Sequence, residues 1–505
     1  MDILQLLKRV LKHEYFWLAV IFLAVFFFRL FFVMQTDWKS FSSDDAYFHL
    51  RKIESLKENF DFKLQRFDEL SYSGRVLLYP PLYHYIFGFL SLLFGLTFVL
   101  KILPELLISI MTIIVYYLSK GISGSKLASL TSSFMSGFTP ALFGGTLNQL
   151  SIYSIAFPMF FLMVYYMMDM RLEKQKLTYF AILAILFPLL HSSSFLLVLS
   201  LIVYILIIAS ESWTLRKLNK EAIIFCMFIT FLIQFFLFKE AFFIHGISMV
   251  WAGTPELILR DYFGNLDVLS TIYKIGVMPL IFGVSGLFIG FKKRSDKFFL
   301  LVGVLFSVFF LLLLKLITLS VGLMFLAAVF CILSSISLKW ISSYLRLTKF
   351  FIFRGFFITL LFVLLGITLI VPSFNLSKEV LLHVPLAEDI LALEWMAENI
   401  DENATILAPL GEGHLVTAIT KKKNIVDDIF LLAPKAGQRV ADADLIYSTG
   451  SEIWAIETLD KYKVDYIFLS EKSKQKYGIL DLRYADNKCF TRVKYEEPKI
   501  YRFRC

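Results

Sequence analysis

The sequence predicts a mainly α-helical, polytopic membrane protein that carries a small α/β domain at its C-terminal end. Three observations lead there. The composition is 58% hydrophobic and 17% aromatic with only 18% charged residues, far from that of a soluble globular domain. Apolar runs near the roughly 20 residues that cross a bilayer alternate with short cationic loops. At Pro372 the pattern changes, charge returns, and the apolar runs shorten to strand length. The net charge of +9 is gathered in a few loops. That is the pattern of orientation signals, and it argues against a nucleic-acid surface.

Taken in order, Lys8, Arg9, Lys12 and His13 precede a first apolar run, Tyr15 to Met34, broken only by Arg29. The N-terminus is therefore expected in the cytoplasm and the following loop, about 35–81, outside. Between 82 and 145 lie three apolar candidates, 82–100, 104–119 and 126–145, of which parity admits two crossings. Span 149–169 leads to Arg171, Lys174 and Lys176. Residues 177–209 read as two short spans broken at His191-Ser192-Ser193-Ser194, returning to Arg216, Lys217 and Lys220. Span 221–239 opens a second long external loop, about 240–270, and 273–291 comes back to Lys292-Lys293-Arg294. A hairpin, 298–314 and 316–337, precedes Lys339, Arg346 and Lys349, and 350–372 goes out. About eleven crossings put residues 1–372 in the membrane domain and 373–505 in an extracytoplasmic domain.

In that domain Glu388 to Asn399 has the apolar period of a helix, as does Ile453 to Lys461. Thr405 to Ala408 and Val464 to Leu469 read as buried strands, and helix alternating with strand implies a layered α/β unit. Cys489 to Cys505 alternates as a hairpin. A turn through Glu496-Glu497-Pro498 sets Cys489 opposite Cys505, close to the separation that a disulfide needs.

The chemistry-bearing stretch is Ser42-Ser43-Asp44-Asp45-Ala46-Tyr47-Phe48-His49-Leu50-Arg51, at the membrane boundary. Carboxylates such as Asp44 and Asp45 hold hard divalent cations. His49 and Arg51 can bind phosphate, Arg through its forked donors. The same charges also suit a solvated loop that simply stays out of lipid.

Asp45-Ala46-Tyr47-Phe48-His49-Leu50-Arg51 resembles the first external loop of archaeal oligosaccharyltransferase catalytic subunits, which carry Asp-x-Tyr-Tyr-His-x-Arg there. Tyr79-Pro80-Pro81-Leu82-Tyr83 resembles the Pro-Pro-Leu-Tyr that opens their next span. Asp460 to Tyr466 and Lys499-Ile500-Tyr501-Arg502 are similar to their soluble domain. The resemblance implies a glycosyltransferase-C fold, 11–13 transmembrane helices counting both readings. It also implies a sugar donor linked to a polyprenyl phosphate or diphosphate.

Carried over residue by residue, the resemblance makes Asp45 a metal ligand that helps activate the acceptor, with Asp44 beside it. It turns His49 and Arg51 toward the carrier phosphate. The second acidic motif of the family is replaced here by Asn148 and Gln149, which offer only neutral oxygens to a Mg or Mn ion. The loop at 240–270 corresponds to one carrying a functional Glu, here Glu256, with Asp261 as competitor. Where the family has an Arg in a late span, this chain offers Lys315. The family's Trp-Trp-Asp-Tyr-Gly reader of the acceptor sequon becomes Pro409-Leu410-Gly411-Glu412-Gly413-His414, keeping the Gly and the His.

Two functions follow. One is a glycosyltransferase that acts on a polyprenyl-linked donor and a protein or glycan acceptor among membrane lipid, without nucleic acid. The other is a non-catalytic subunit or transporter with the same fold. No internal repeat of the kind transporters show is present, and the polar residues gather in loops.

Overall fold

The computed structural model describes residues 13–59, 65–170, 174–252, 254–255, 258–259, 263, 267–485, 488–494 and 497–505. Among them six helices are long and apolar enough to cross a membrane. They become seven if Val268–Ile275 and Val277–Lys293, bent by 84°, count as one span. Gly276 makes that bend at φ 92°, a conformation that side chains disfavour. Four shorter apolar helices, Leu82–Phe94, Tyr153–Asp169, Gln175–Leu190 and Ser194–Ser210, stand beside the long ones. The chain is a multi-pass membrane protein.

Packing inside the bundle follows membrane rules, in which small residues let helices approach. Val277–Lys293 lies on Leu319–Arg346, where a Cβ at Gly286 would stand 2.1 Å from the Leu333 carbonyl oxygen. Arg29, the one cation of the first span (Glu14–Val33), is buried and meets Glu105 of the Phe98–Ser123 span at 2.6 Å. A charge inside a span needs such a partner.

The last apolar run does not stop at Pro372. Helical residues continue from Lys349 to Leu381, with Pro372 at the start of the Val371–Leu381 turn sequence, where its missing N–H is tolerated. The expected change of domain thus falls within helix. The loop after the first span is also more ordered than its polarity suggests. It forms the helix Asp44–Asn59, followed by a short antiparallel pair, β1 (Phe67–Asp68) and β2 (Arg75–Val76).

The C-terminal domain is built on one sheet of β3 (Thr405–Leu407), β4 (Lys423–Asn424), β5 (Tyr466–Leu469), β6 (Phe490–Lys494) and β7 (Lys499–Phe503). The order is β4-β3-β5-β7-β6, parallel from β4 to β5 and antiparallel through β7 and β6. Helices Ala387–Asn399, Gly413–Thr420, Ala436–Ser448 and Glu452–Lys461 accompany it. Cys489 and Cys505 are bridged, with Cα atoms 5.0 Å apart. Equal counting sets Phe490 opposite Arg504, but a bulge between Arg492 and Lys494 shifts the ladder and pairs Phe490 with Phe503.

Candidate active site

Three segments converge on Asp44 and Asp45, and the turn at 148–150 braces them. Asn148 and Leu150 sit at φ 53° and 46°, which turns the chain inward. The Asn148 carbonyl accepts the Ser42 N–H at 2.9 Å, and its amide nitrogen donates to Ser40 O and Ser42 Oγ, each at 3.2 Å. Its amide oxygen accepts Lys101 Nζ at 2.7 Å, and its own N–H donates to Glu105 at 3.0 Å. Asn148 is therefore fully engaged in holding the loop, two residues before Asp44. Gln149 donates to the Gly144 carbonyl at 2.9 Å and lines a separate cavity of about 180 Å³, with Ser42, Lys274 and His383.

Asp44 opens its helix and also reaches across to the C-terminal domain. Its carboxylate accepts the backbone N–H groups of His414 at 3.0 Å and Leu415 at 2.8 Å, capping the Gly413–Thr420 helix from 370 residues away. Gly413 permits this docking, since a Cβ there would lie 2.2 Å from the Val426 carbonyl oxygen and 3.0 Å from Asp427 Cβ. The chain leaving β4 then delivers Asp427 and Asp428. His414 Nε2 is 3.0 Å from Asp428 Oδ1 and 3.7 Å from Asp427 Oδ1.

One ligand atom from each of Asp44, His414 and Asp428 lies within 4.8 Å of the others. His414 is wholly buried, yet neither ring nitrogen has a hydrogen-bond partner, and neither does Asp428 Oδ1. Buried polar atoms are rarely left so. The charges oppose one another as well. Burial, then Asp428, drives the Asp44 carboxyl above the usual range. The Asp428 charge, then burial, does the same to Asp45, although Asp45 is open to solvent, which softens the repulsion. Two carboxylates and an imidazole that makes no hydrogen bond are a donor set that a divalent cation satisfies, so these residues fit one.

The other residues singled out in the sequence lie elsewhere. His49 Nδ1 is 2.9 Å from His84 Nε2, its ring packed against Phe48 and Tyr83, and burial pushes it down to about 3, so it is neutral. Arg51 grips Asp68 with both terminal nitrogens, Nη1 at 2.8 Å, and its guanidinium is engaged there. Lys315 is exposed at the turn after Asp296–Leu313, its ammonium 5.7 Å from the centre of the Phe263 ring. Glu256 and Asp261 fall outside the described residues.

A cavity of about 150 Å³ opens beside Asp44, with Ser43 and Tyr47 on one wall and Asp389, Glu412, Glu471 and Lys472 on the other. Burial and then the Glu412 charge raise Asp389 to about 7, while Glu412 accepts Ser470 Oγ at 2.7 and 2.8 Å and Ser473 Oγ at 3.0 Å. The Pro409–His414 stretch thus walls a pocket even without the aromatic residues of the sequon reader.

Neither a protein-family model nor a curated protein sequence matches this chain. Solved structures do. The Archaeoglobus fulgidus oligosaccharyltransferase, in a complex with Zn and sulfate, superposes with a TM-score of 0.68 over 93% of this chain and 71% of that one, at 15% identity. The same organism's AglB, with an inhibitory peptide and a dolichol-phosphate, gives 0.62 over 88% and 69%, also at 15% identity. ArnT from Cupriavidus metallidurans, bound to undecaprenyl phosphate, gives 0.53 over 96% and 97% at 11% identity. The chain has the glycosyltransferase-C fold. Within that fold the loop carboxylates meet residues that motif reading missed. Asp427 and Asp428 are an acidic pair closing a short β-branched run, Ile425-Val426, and that doublet was the available signal.

Proposed function

We propose that this chain is a membrane glycosyltransferase that moves a sugar or glycan from a polyprenyl-(di)phosphate carrier to an acceptor held in the cavity beside Asp44. One observation carries the reading: a solvent-open carboxylate, Asp45, sits within electrostatic reach of Asp428 and the buried His414, and next in the chain to Asp44, which lines a cavity walled by the first loop and the C-terminal domain. Asp45 takes the proton of the acceptor hydroxyl or amide as its lone pair forms a bond to the anomeric carbon. The bond from that carbon to the carrier phosphate oxygen breaks, and the phosphate departs with the electron pair. A bound divalent cation would supply positive charge for that departing oxygen. Since Arg51 is paired and His49 neutral, the phosphate's cationic support in this reading comes from Lys274, in the second cavity beside Ser42.

The acceptor in this reading is not a sequon peptide, because Gly411, Glu412 and Lys472 line the place of the aromatic reader. Cationic loops set the N-terminus in the cytoplasm and the C-terminal domain outside, with 373–505 as the acceptor-side unit. A second reading, a subunit that keeps the fold without transfer, draws on Asp44 serving as a helix cap and Arg51 as an ion-pair partner.

The test is to incubate the purified chain with radiolabelled polyprenyl-linked sugars and follow the label into peptide, glycan, lipid and water. Label in a glycan or lipid acceptor, with none in an Asn-x-Thr peptide, is expected. Label in no acceptor from any donor supports the second reading, and sequon-dependent labelling of the peptide refutes the acceptor assignment.

A further inference from the structure

The geometry points to a divalent-cation site split between the two domains, with Asp44 supplied by the membrane domain's first loop and His414 and Asp428 by the C-terminal domain. It is distinct from the Asp45, Asn148 and Gln149 set that the sequence suggests. The Asn148 oxygen already accepts the Lys101 ammonium, and Gln149 turns away into another cavity. By contrast, the ligand atoms of Asp44, His414 and Asp428 lie within 4.8 Å of one another. His414 Nε2 and Asp428 Oδ1 face each other at 3.0 Å, yet neither of these buried atoms makes a hydrogen bond, and the other nitrogen of the fully buried His414 ring, Nδ1, makes none either. Neighbouring polar groups are otherwise closed, because Asp427 is held by Arg75 and Ser71.

The donor chemistry selects the ion. Mg and Ca favour all-oxygen shells, whereas an imidazole among carboxylates suits Mn, Co or Zn. Asp44 keeps lone pairs for a cation while its oxygens cap His414 and Leu415, so the cap fixes the ligand in place. Because the ligands come from both domains, loading the ion also fastens the C-terminal domain to the first loop. The alternative is an imidazolium lying between Asp427 and Asp428 with no metal.

The experiment uses the full chain in detergent, stripped with chelator and dialysed against Mn, Zn or Mg, with bound metal counted by mass spectrometry. No donor is present, so this result is independent of whether the chain transfers sugar. About one equivalent of Mn or Zn is expected to bind, with Mg failing to compete. His414→Ala and Asp428→Asn should each weaken binding by roughly 10-fold or more, while Gln149→Ala leaves it unchanged. Pulsed EPR of the Mn-loaded wild type needs no variant and should show nitrogen coupling from an imidazole. No stoichiometric metal, undiminished binding in both variants, or an EPR spectrum without nitrogen coupling would overturn the site.

Discussion

Asp427 and Asp428 are adjacent, and both point into the contact between the first loop and the C-terminal domain, yet their surroundings differ. Around Asp427 every polar group is answered. Arg75 Nη2 lies 3.3 Å from its carboxylate, Arg75 Nε donates to Ser71 Oγ at 2.7 Å, and the Tyr72 hydroxyl donates to its carbonyl at 2.6 Å. Asn424 closes the patch, accepting the Tyr72 N–H at 2.8 Å and donating to Gly413 O at 3.0 Å. Around Asp428 the carboxylates of Asp44 and Asp45 crowd together, and the buried His414, 3.0 Å from Asp428, makes no hydrogen bond. A closed network fastens two domains; an open one holds charge ready for something that is not protein. Broken local rules are expected at functional sites, which is the reading proposed for this one.

The largest break in this comparison should come at Asp45. Asp45→Asn is expected to lower transfer by about 10²–10⁴-fold, the usual worth of a positioned base. Its unfolding should shift by no more than about 0.5 kcal/mol, because the side chain is open to solvent. Rate and melting measurements on one preparation separate the two effects.

The closed patch should answer in the opposite way. Arg75→Ala leaves a fully buried Asp427 without its cation and is expected to cost about 3–5 kcal/mol. Limited proteolysis of the C-terminal domain would report it, and unchanged protection would mean the pair does not hold the domains. Asp44→Ala sits between the extremes. Loss of the cap on His414 and Leu415 should cost about 0.5–2 kcal/mol in denaturant unfolding, whatever it does to transfer.

The smallest effect is a pH slope from the cavity wall. Asp389 has its folded pKa raised from 3.8 to about 7, so the folded state holds its proton more tightly than the unfolded one. Stability from this group is complete below 3.8 and is lost as pH rises toward about 7. Asp389→Asn should flatten that slope in unfolding curves taken across the window, and an unchanged slope would assign it to other groups.

Half of the site was legible. Asp44 and Asp45 stand out as adjacent carboxylates at the edge of an apolar run, and the matching stretch reads in one line. The rest depends on pairings across long separations that no local pattern encodes. Arg51 has the look of a phosphate ligand until Asp68 is placed against it, 17 residues on. Arg29 reads as an oddity in an apolar span until Glu105 arrives from another helix. Asn148 stands where a ligand was expected, but Lys101 claims its oxygen. His414 stands out as a retained residue of the Pro409–His414 stretch, but its neighbour Asp428 becomes visible only when Gly413 lets two backbones close. The helical spans and the layered C-terminal unit were clearer because periodicity and composition are local. The helix running past Pro372 was hidden, because a proline near the start of a helical turn does not end it.

The most direct measurement is thermal unfolding of Asp427→Asn and Asp428→Asn beside the wild type, in chelator. Asp427→Asn should unfold several degrees earlier, since it strips a buried ion pair from the closed network. Asp428→Asn should unfold no earlier than the wild type, since relief of the repulsion between Asp44 and Asp428 offsets the loss of its contact with His414. If both variants unfold earlier by similar amounts, the two aspartates share one structural task and the division between a fastening patch and a working patch is wrong.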